Sequence, residues 1–333
     1  MEFEKCVSLI QNYLQKNPLI ILGSGANIKY GLPTMDNLSK EICKFEKEIK
    51  DYDFRQLCEK LNAGLDLETA INQVDLSNDI YKRIQLIVWE FINERDLNFL
   101  NKNYDNENFV LAKLLKKTLE PSPNNTSVIT TNYDRLVEYA ADMEKATIVT
   151  GFEGSLVKNF SLPSKNIQQM RTICKIKTVN IWKVHGSLDW FQTENSKYIC
   201  FPLSSKILPK LQPLIIPPGN EKYHLTHNEP YRTIISSADE SITNSNCFLC
   251  IGYGFNDEHI QQKIITEIQR GKPIVILTKK ITPKCKKIIV ENNIPKYIIL
   301  EMHDNDHTKI TSNLFCETIS GSYWMLENFL EIW

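Results

Sequence analysis

Four short stretches of this chain carry residue types that could do chemistry. His185 ends the apolar run 178–184 and is followed by Gly186. An imidazole in such a place titrates near neutrality and suits general-base work; a structural or surface histidine is the alternative. Asn132 and Asp134 belong to Thr131-Asn132-Tyr133-Asp134, directly after Ser127-Val128-Ile129-Thr130. The amide of Asn132 offers a donor and an acceptor, enough to hold a sugar hydroxyl or a water, although asparagine also caps helices. Asp134 could serve the same site or simply favour a helix N-terminus. Gly23-Ser24-Gly25-Ala26-Asn27, with Gly31-Leu32-Pro33 behind it, closes the apolar run 18–22. Glycines there let the backbone turn sharply and approach a phosphate, at which a following helix would point its free N–H groups. The usual dinucleotide fingerprint asks for a third glycine where Ile28 stands, so a tight turn without ligand is the competing reading. Gly252-Tyr253-Gly254 follows a fourth apolar run, 247–251.

Elements must hold those stretches in place. Phe3, Val7, Ile10 and Leu14 recur at helical spacing, which predicts an amphipathic helix before the first strand. Thr34 predicts the cap of a helix over 36–50. Apolar stripes of helical period continue through 51–120, so a helical insertion of about 36–120 separates the first strand from the second. Strands are predicted at 127–131, 146–149 and 178–184, with short strand-like pieces at 198–201 and 214–216 and little pattern over 151–170. Helix returns at about 229–243. Strands at 247–251, 274–277 and 297–300 then alternate with a helix capped by Asp257 and one over 283–292; 297–300 reads as the last strand. Residues 321–333 read as a C-terminal helix docked on the domain, since so short a helix is marginal alone. The alternation predicts an α/β fold, a Rossmann-like doubly wound parallel sheet in a single domain over 1–333. Ligands of such sheets bind outside the carboxyl ends of the strands, which would bring the four stretches to one crevice.

The formal net charge is -1, which argues against direct nucleic-acid binding through a basic surface. The nine cysteines are irregularly spaced. No leader pattern begins the sequence, and no apolar run approaches the roughly 18 residues of a membrane span. A cytoplasmic protein with reduced thiols and no membrane contact is expected. His224 with His227 and His303 with His307 lack further ligands at firm spacing, so no metal is expected. Cys247 and Cys250 lie three apart in one strand and would face opposite sides. Lys279-Lys280 and Lys284-Cys285-Lys286-Lys287 read as solvated surface or as one flank of a strand-end site.

Taken in order over residues 18–278, these stretches resemble the motifs of sirtuins. Gly23-Ser24-Gly25-Ala26-Asn27 with Gly31-Leu32-Pro33 is similar to the glycine motif. Thr131-Asn132-Tyr133-Asp134 resembles Gln-Asn-Ile-Asp, and Val184-His185-Gly186 the histidine–glycine motif. Ile251-Gly252-Tyr253-Gly254 resembles the Gly-Thr-Ser segment. The resemblance implies NAD+ as substrate, with cleavage between nicotinamide and ribose. It makes His185 the base, lets Asn132 position the ribose or the attacking water, and sets Asp134 on the nicotinamide side. It implies Gly23, Ser24 and Gly25 at the phosphates, and Asn27, Pro33, Thr131, Gly252, Tyr253, Gly254 and Thr278 along the dinucleotide.

The departures matter as much. Met35-Asp36 stand where sirtuin deacylases have Phe-Arg, and Thr131 replaces the motif glutamine. Only Cys200 lies between His185 and Cys247, so the two Cys-x-x-Cys pairs of a zinc module are missing. Ile216-Pro217-Pro218 occupies the region of the peptide-clamping Phe-Gly-Glu. Peptide equipment is lost while dinucleotide equipment stays. The pattern resembles the sirtuin-like NADases of bacterial antiphage defence, some of which act with a HerA-like ATPase. It implies an NAD+ glycohydrolase that depletes NAD+ in abortive infection, and a homo-oligomer or a defence partner that controls it. A protein deacylase or ADP-ribosyltransferase, and a non-catalytic NAD or ADP-ribose sensor, are the alternatives.

Overall fold

The computed structural model describes residues 2–104, 106–121, 124–219 and 226–333; His224 lies outside them. Helix α1 (Glu2–Tyr13) leads into strand β1 (Leu19–Leu22). Five helices follow: α2 (Met35–Cys43), α3 (Tyr52–Asn62), α4 (Leu67–Asn72), α5 (Asn78–Asn103) and α6 (Val110–Leu119). Their starts are written in the sequence. Thr34 and Asn37 form a capping box on α2, and Asp51, Asp66 and Ser77 each accept a first-turn N–H, satisfying amides that a helix start leaves open.

Strand β2 (Asn125–Thr130), helix α7 (Leu136–Met143) and strand β3 (Thr147–Val149) come next. The weakly patterned stretch after them holds β4 (Phe152–Glu153), β5 (Lys158–Phe160) and helix α8 (Lys165–Ile173). Then follow β6 (Thr178–Lys183), β7 (Gly186–Thr193), β8 (Tyr198–Cys200), β9 (Leu211–Ile215) and α9 (Tyr231–Asn244). The chain closes through β10 (Phe248–Ile251), α10 (Glu258–Gln269), β11 (Ile274–Thr278), the short α11 (Pro283–Lys286) continued as a π-helical turn, β12 (Tyr297–Met302), β13 (His307–Ser312), β14 (Cys316–Ser320) and α12 (Leu326–Ile332).

A nine-stranded sheet runs in the order β14-β13-β12-β11-β10-β1-β2-β6-β3. Seven of its strands are parallel, and β13 and β14 return antiparallel at one edge. Strand β12 is the last one that an apolar run predicts. Strands β13 and β14 carry no such run: Thr, Ser and Lys dominate them, and β14 has no buried residue, as befits an edge strand with one face to bury. The antiparallel sheet β4-β5-β8-β7-β9 is a second addition.

Alternate residues of the parallel strands feed two cores. Ile20, Leu22, Leu249, Ile251, Val275 and Leu277 pack with the inserted helices, whereas Leu19, Ile21, Phe248, Cys250, Ile274 and Ile276 pack with α9 and α10. Cys247 and Cys250 accordingly belong to different cores, as the two-residue period of a strand requires. Parallel strands buried on both sides read as continuous apolar runs, which is why this part of the sheet is legible in sequence.

The inserted helices reach the loop after β2 through buried polar contacts. Asp96 of α5 accepts from Arg135 N at 2.6 Å and from its Nε and Nη2 at 2.9 and 2.7 Å; Asn93 Oδ1 accepts from Nη2 at 2.7 Å. Trp89 Nε1 donates to Leu188 O at 2.8 Å, and Gln85 Nε2 to Ile215 O at 2.7 Å. A forked charge-assisted pair of this kind fixes orientation as well as distance. Among the described residues, no helix is long and apolar enough to cross a membrane, and no group of three or more His, Cys, Asp or Glu is placed to hold a metal.

Candidate active site

The four strands that carry the chemical stretches are consecutive in the sheet, in the order β10-β1-β2-β6, and all are parallel. Their carboxyl ends therefore open on one side. A pocket of about 190 Å³ lies there, lined by Gly23, Ser24, Asn27, Pro33, Thr131, Asn132, Asp134, His185, Gly252, Tyr253 and Gly254. A wider groove of about 930 Å³ adjoins it and takes in Gly25 and Thr278; Ser24, Gly252, Tyr253 and Gly254 line both. Every residue that the sirtuin resemblance assigned to the dinucleotide site lines one or the other.

Two glycine positions set the floor. Gly252 has φ +58, and a Cβ there would strike Gly25 and Ala26 backbone; conversely, a Cβ on Gly23 would lie 2.7 Å from Tyr253 Cα. The loops after β1 and β10 pack backbone to backbone, a closeness that only glycine permits. Their contact is fastened by Gly25 N donating to Gly252 O at 3.2 Å.

The polar side chains are held from beneath. Thr130 Oγ1 donates to Leu22 O and accepts from Asn132 N, both at 3.1 Å, and Asn132 Nδ2 donates to Gly23 O at 3.1 Å. The Asn132 amide is thus committed through its nitrogen to the glycine loop. Asn27, 2% exposed, donates through Nδ2 to both Asp134 oxygens at 2.8 Å. Its own Oδ1 is buried without a partner. Since an ionised carboxylate can only accept, the amide must present its nitrogen to Asp134 and its oxygen elsewhere. Asp134 also accepts from Leu136 N at 3.3 Å, so it serves the N-terminus of α7 as well as the pocket. Burial raises the Asp134 carboxyl above its ordinary value of 3.8, against the pull of the Lys183 ammonium and the Asn27 hydrogen bonds. Lys183, fully buried, donates to Asp134 O and pairs with Glu138 at 3.0 Å.

His185 is held through its backbone by Ile216 N, which donates to its carbonyl at 2.9 Å. Its Nε2 lies 2.5 Å from Asp257 Oδ2, with both side chains buried. The two atoms are close without hydrogen-bond alignment. Asp257 also accepts from Ile260 N at 3.3 Å, the capping role that the sequence assigned to it. Its approach to the imidazole is what the sequence reading missed. The available signal was its position three residues beyond Gly254, on the same carboxyl edge as His185. Glu68 of α4 and Pro218 also line the pocket; Pro218 belongs to the segment that stands in place of the peptide clamp, whereas nothing in the sequence around Glu68 marked it.

Charge is segregated along the crevice. The charged side chains lining the small pocket are Asp134, Asp257 and Glu68, with no lysine or arginine among the described residues. Lys29, Lys279 and Lys280 line the wider groove, with Glu301 and Glu327. Glu327 pairs with Lys29 at 2.6 Å, and Glu301 accepts from Ile281 N at 2.8 Å.

Residues 126–282 match the family model of a SIR2-like domain. The matched segment contains Asn132, Asp134, His185, Gly252 and Asp257 and leaves out the glycine loop after β1. No curated protein sequence matches the chain. Among solved structures, a Sir2 homologue in complex with NAD is similar at 14% identity and a TM-score of 0.49, over 89% of this chain and 87% of that one. A structure from work on the mechanism and regulation of Sir2 enzymes follows at 15% and 0.45, over 87% and 91%. A Sir2 homologue S24A mutant with ADP-ribose gives 14% and 0.46, over 84% and 86%.

Proposed function

We propose that this chain is an NAD+ glycohydrolase, which cleaves the bond between nicotinamide and ribose to give nicotinamide and ADP-ribose. The observation that carries this reading is the charge segregation of the crevice. NAD+ has a pyridinium cation at one end and a pyrophosphate toward the other. A small pocket with carboxylates alone suits the cation, and still more the oxocarbenium-like charge that develops on the ribose as nicotinamide leaves. A groove with lysines suits the phosphates. The orphaned Asn27 Oδ1 offers an acceptor to the carboxamide N–H of nicotinamide. The SIR2-like match over 126–282 supports the same substrate.

The side chains divide the work. Asn132, pinned by its nitrogen to Gly23, turns its amide oxygen to a ribose hydroxyl or the incoming water. His185 takes the proton that water loses as its oxygen bonds to the anomeric carbon, with the C–N electron pair departing on neutral nicotinamide. Asp257 favours the imidazolium so formed. Asp134, raised by burial and held by Asn27, shapes the nicotinamide side. Gly23, Ser24 and Gly25 bring backbone close to the phosphates.

Unrestrained activity would exhaust the cell's own NAD+. The reading therefore includes low activity in the isolated chain and activation by self-assembly or by a partner such as a HerA-like ATPase, in antiphage defence by abortive infection in the cytoplasm. Chromatography of NAD+ incubated with the wild type, His185→Ala and Asn132→Ala, with and without candidate partners, tests it. Release of free nicotinamide by the wild type alone is expected. Equal release by all three proteins, or stoichiometric transfer to a peptide acceptor, overturns it.

A further inference from the structure

Helix α8 has its polarity reversed. Ser164 Oγ caps it by accepting from Ile167 N at 3.4 Å, and the nine residues Lys165–Ile173 follow. Its flank toward the body borders a groove of about 700 Å³ at the amino ends of β1, β2 and β6, and that flank is polar: Gln168, Gln169, Arg171 and Thr172 line the groove. Ile167, Met170 and Ile173 do not line it. They recur three apart, which sets them in one stripe about 9 Å long on the side of the helix away from the groove. They are 41%, 64% and 78% exposed. A surface helix ordinarily turns its apolar stripe to the core and its polar side to water.

Nothing within the chain compensates for the reversal. None of residues 167–173 is buried, and a helix of this length is marginal without packing. Of the fifteen large apolar side chains exposed among the described residues, seven lie within 156–176, so the exposure is concentrated in this segment rather than scattered. Concentrated apolar exposure marks an interaction surface. The charge beside the stripe has one sign. Residues 154–188 hold one arginine, five lysines and no acidic residue. Arg171 Nη1 is covered without a hydrogen-bond partner, and Lys175, four positions on, is exposed. Glu240 is the one acidic residue among those lining the groove, and it belongs to the α9 wall.

We propose that the outer face of α8 docks an acidic amphipathic helix of a partner protein. Its apolar anchors would cover Ile167, Met170 and Ile173, and its carboxylates would meet Arg171 and Lys175. Two turns of stripe match the anchors of a helix recognised along one face, and a guanidinium fork matches a carboxylate. A second copy of this chain fits less well, because a two-fold contact would set like charges of the two copies together. A lipid surface fits less well too: the stripe has no aromatic residue, and the polar side of α8 carries glutamines where a membrane helix carries lysines and arginines. The surface lies at the opposite end of the strands from the crevice and does not depend on what that crevice does.

Fluorescence anisotropy with two labelled synthetic peptides tests the assignment. Each has three heptads with leucine at the a and d positions, one with glutamate elsewhere and the other with lysine. The proteins are the wild type, Met170→Asp, Ile173→Asp and Arg171→Ala, all changed on the surface, with circular dichroism to check folding. The wild type is expected to bind the glutamate peptide saturably and the lysine peptide not at all. Met170→Asp and Ile173→Asp should each lose about tenfold or more in affinity. Arg171→Ala should lose a few-fold and flatten the salt dependence. Hydrogen exchange over 164–176 should slow when the glutamate peptide binds. No saturable binding of the glutamate peptide, equal binding of both peptides, or unchanged binding by Met170→Asp and Ile173→Asp overturns the proposal. So does tighter binding to phosphatidylglycerol vesicles through the same residues, or self-association of the wild type that Ile173→Asp abolishes.

Discussion

The two halves of the crevice are built on opposite plans. The inner pocket is small, and its key side chains are buried or half-buried and locked: Asn27 to Asp134, Asn132 to Gly23, His185 beside Asp257. The outer groove is several times larger, with exposed Lys279 and Lys280 on one side and Trp324 and Met325 of the C-terminal segment on the other. Fixed dipoles in a dry site act strongly on developing charge, because nothing has to reorient when the reaction occurs. Mobile lysines in open solvent act weakly and are screened by salt. The inner half is thus where a substitution should change chemistry, and the outer half where it should change recognition.

The largest effect is expected in the inner half. His185→Ala or Asn132→Ala should lower nicotinamide release about a hundredfold or more, the range of a lost acid–base or positioning group, without lowering the melting temperature much. A loss of equal size from Lys279→Ala would break the comparison. Asp257→Asn comes next. It keeps an N-capping residue on α10 but removes the charge beside His185, so turnover should fall about tenfold while KM and stability hold. A drop in stability without a drop in turnover would make Asp257 a cap and nothing more.

Asp134 gives an effect on stability. Its pKa is raised in the folded protein, so between the ordinary value of 3.8 and the folded value the native state binds more protons than the unfolded state. Stability should therefore fall as pH rises through that window and stay level above it. Asp134→Asn should remove this dependence, read by urea unfolding at a series of pH values. A larger pH dependence in the variant would contradict the desolvation cause. The smallest effect belongs to the outer groove. Lys279→Ala should raise KM for NAD+ a few-fold, leave kcat alone and lose its influence at high salt. An unchanged KM at low salt would remove Lys279 from phosphate recognition.

The sequence exposed some of this and hid the rest for physical reasons. Strands β1, β10, β11 and the start of β12 are continuous apolar runs because both their faces are buried, and β2 and β6 keep shorter apolar pieces at Val128-Ile129 and Ile181-Trp182. β13, β14 and, in the five-stranded sheet, everything beyond the pieces at 198–201 and 214–216 that became β8 and the end of β9 were not legible, since half-buried and edge strands mix polar residues into short segments. Helix starts at Thr34 and Asp257 were legible because caps act within one turn. Asp96 and Arg135, 39 positions apart, gave no sign of each other.

Residue types at strand ends were fixed by the sequence alone: the glycines after β1 and β10, Asn132 and Asp134 after β2, and His185 after β6. Their spacing from the apolar runs is a local property, so it could be read without coordinates. Only the tertiary structure decided that those four strands are neighbours, that Asn27 grips Asp134, that Asp257 meets His185, and that lysines line the outer half of the crevice and not the inner. Those are pairings between residues distant in the chain, set by sheet order and packing, and no local pattern encodes them.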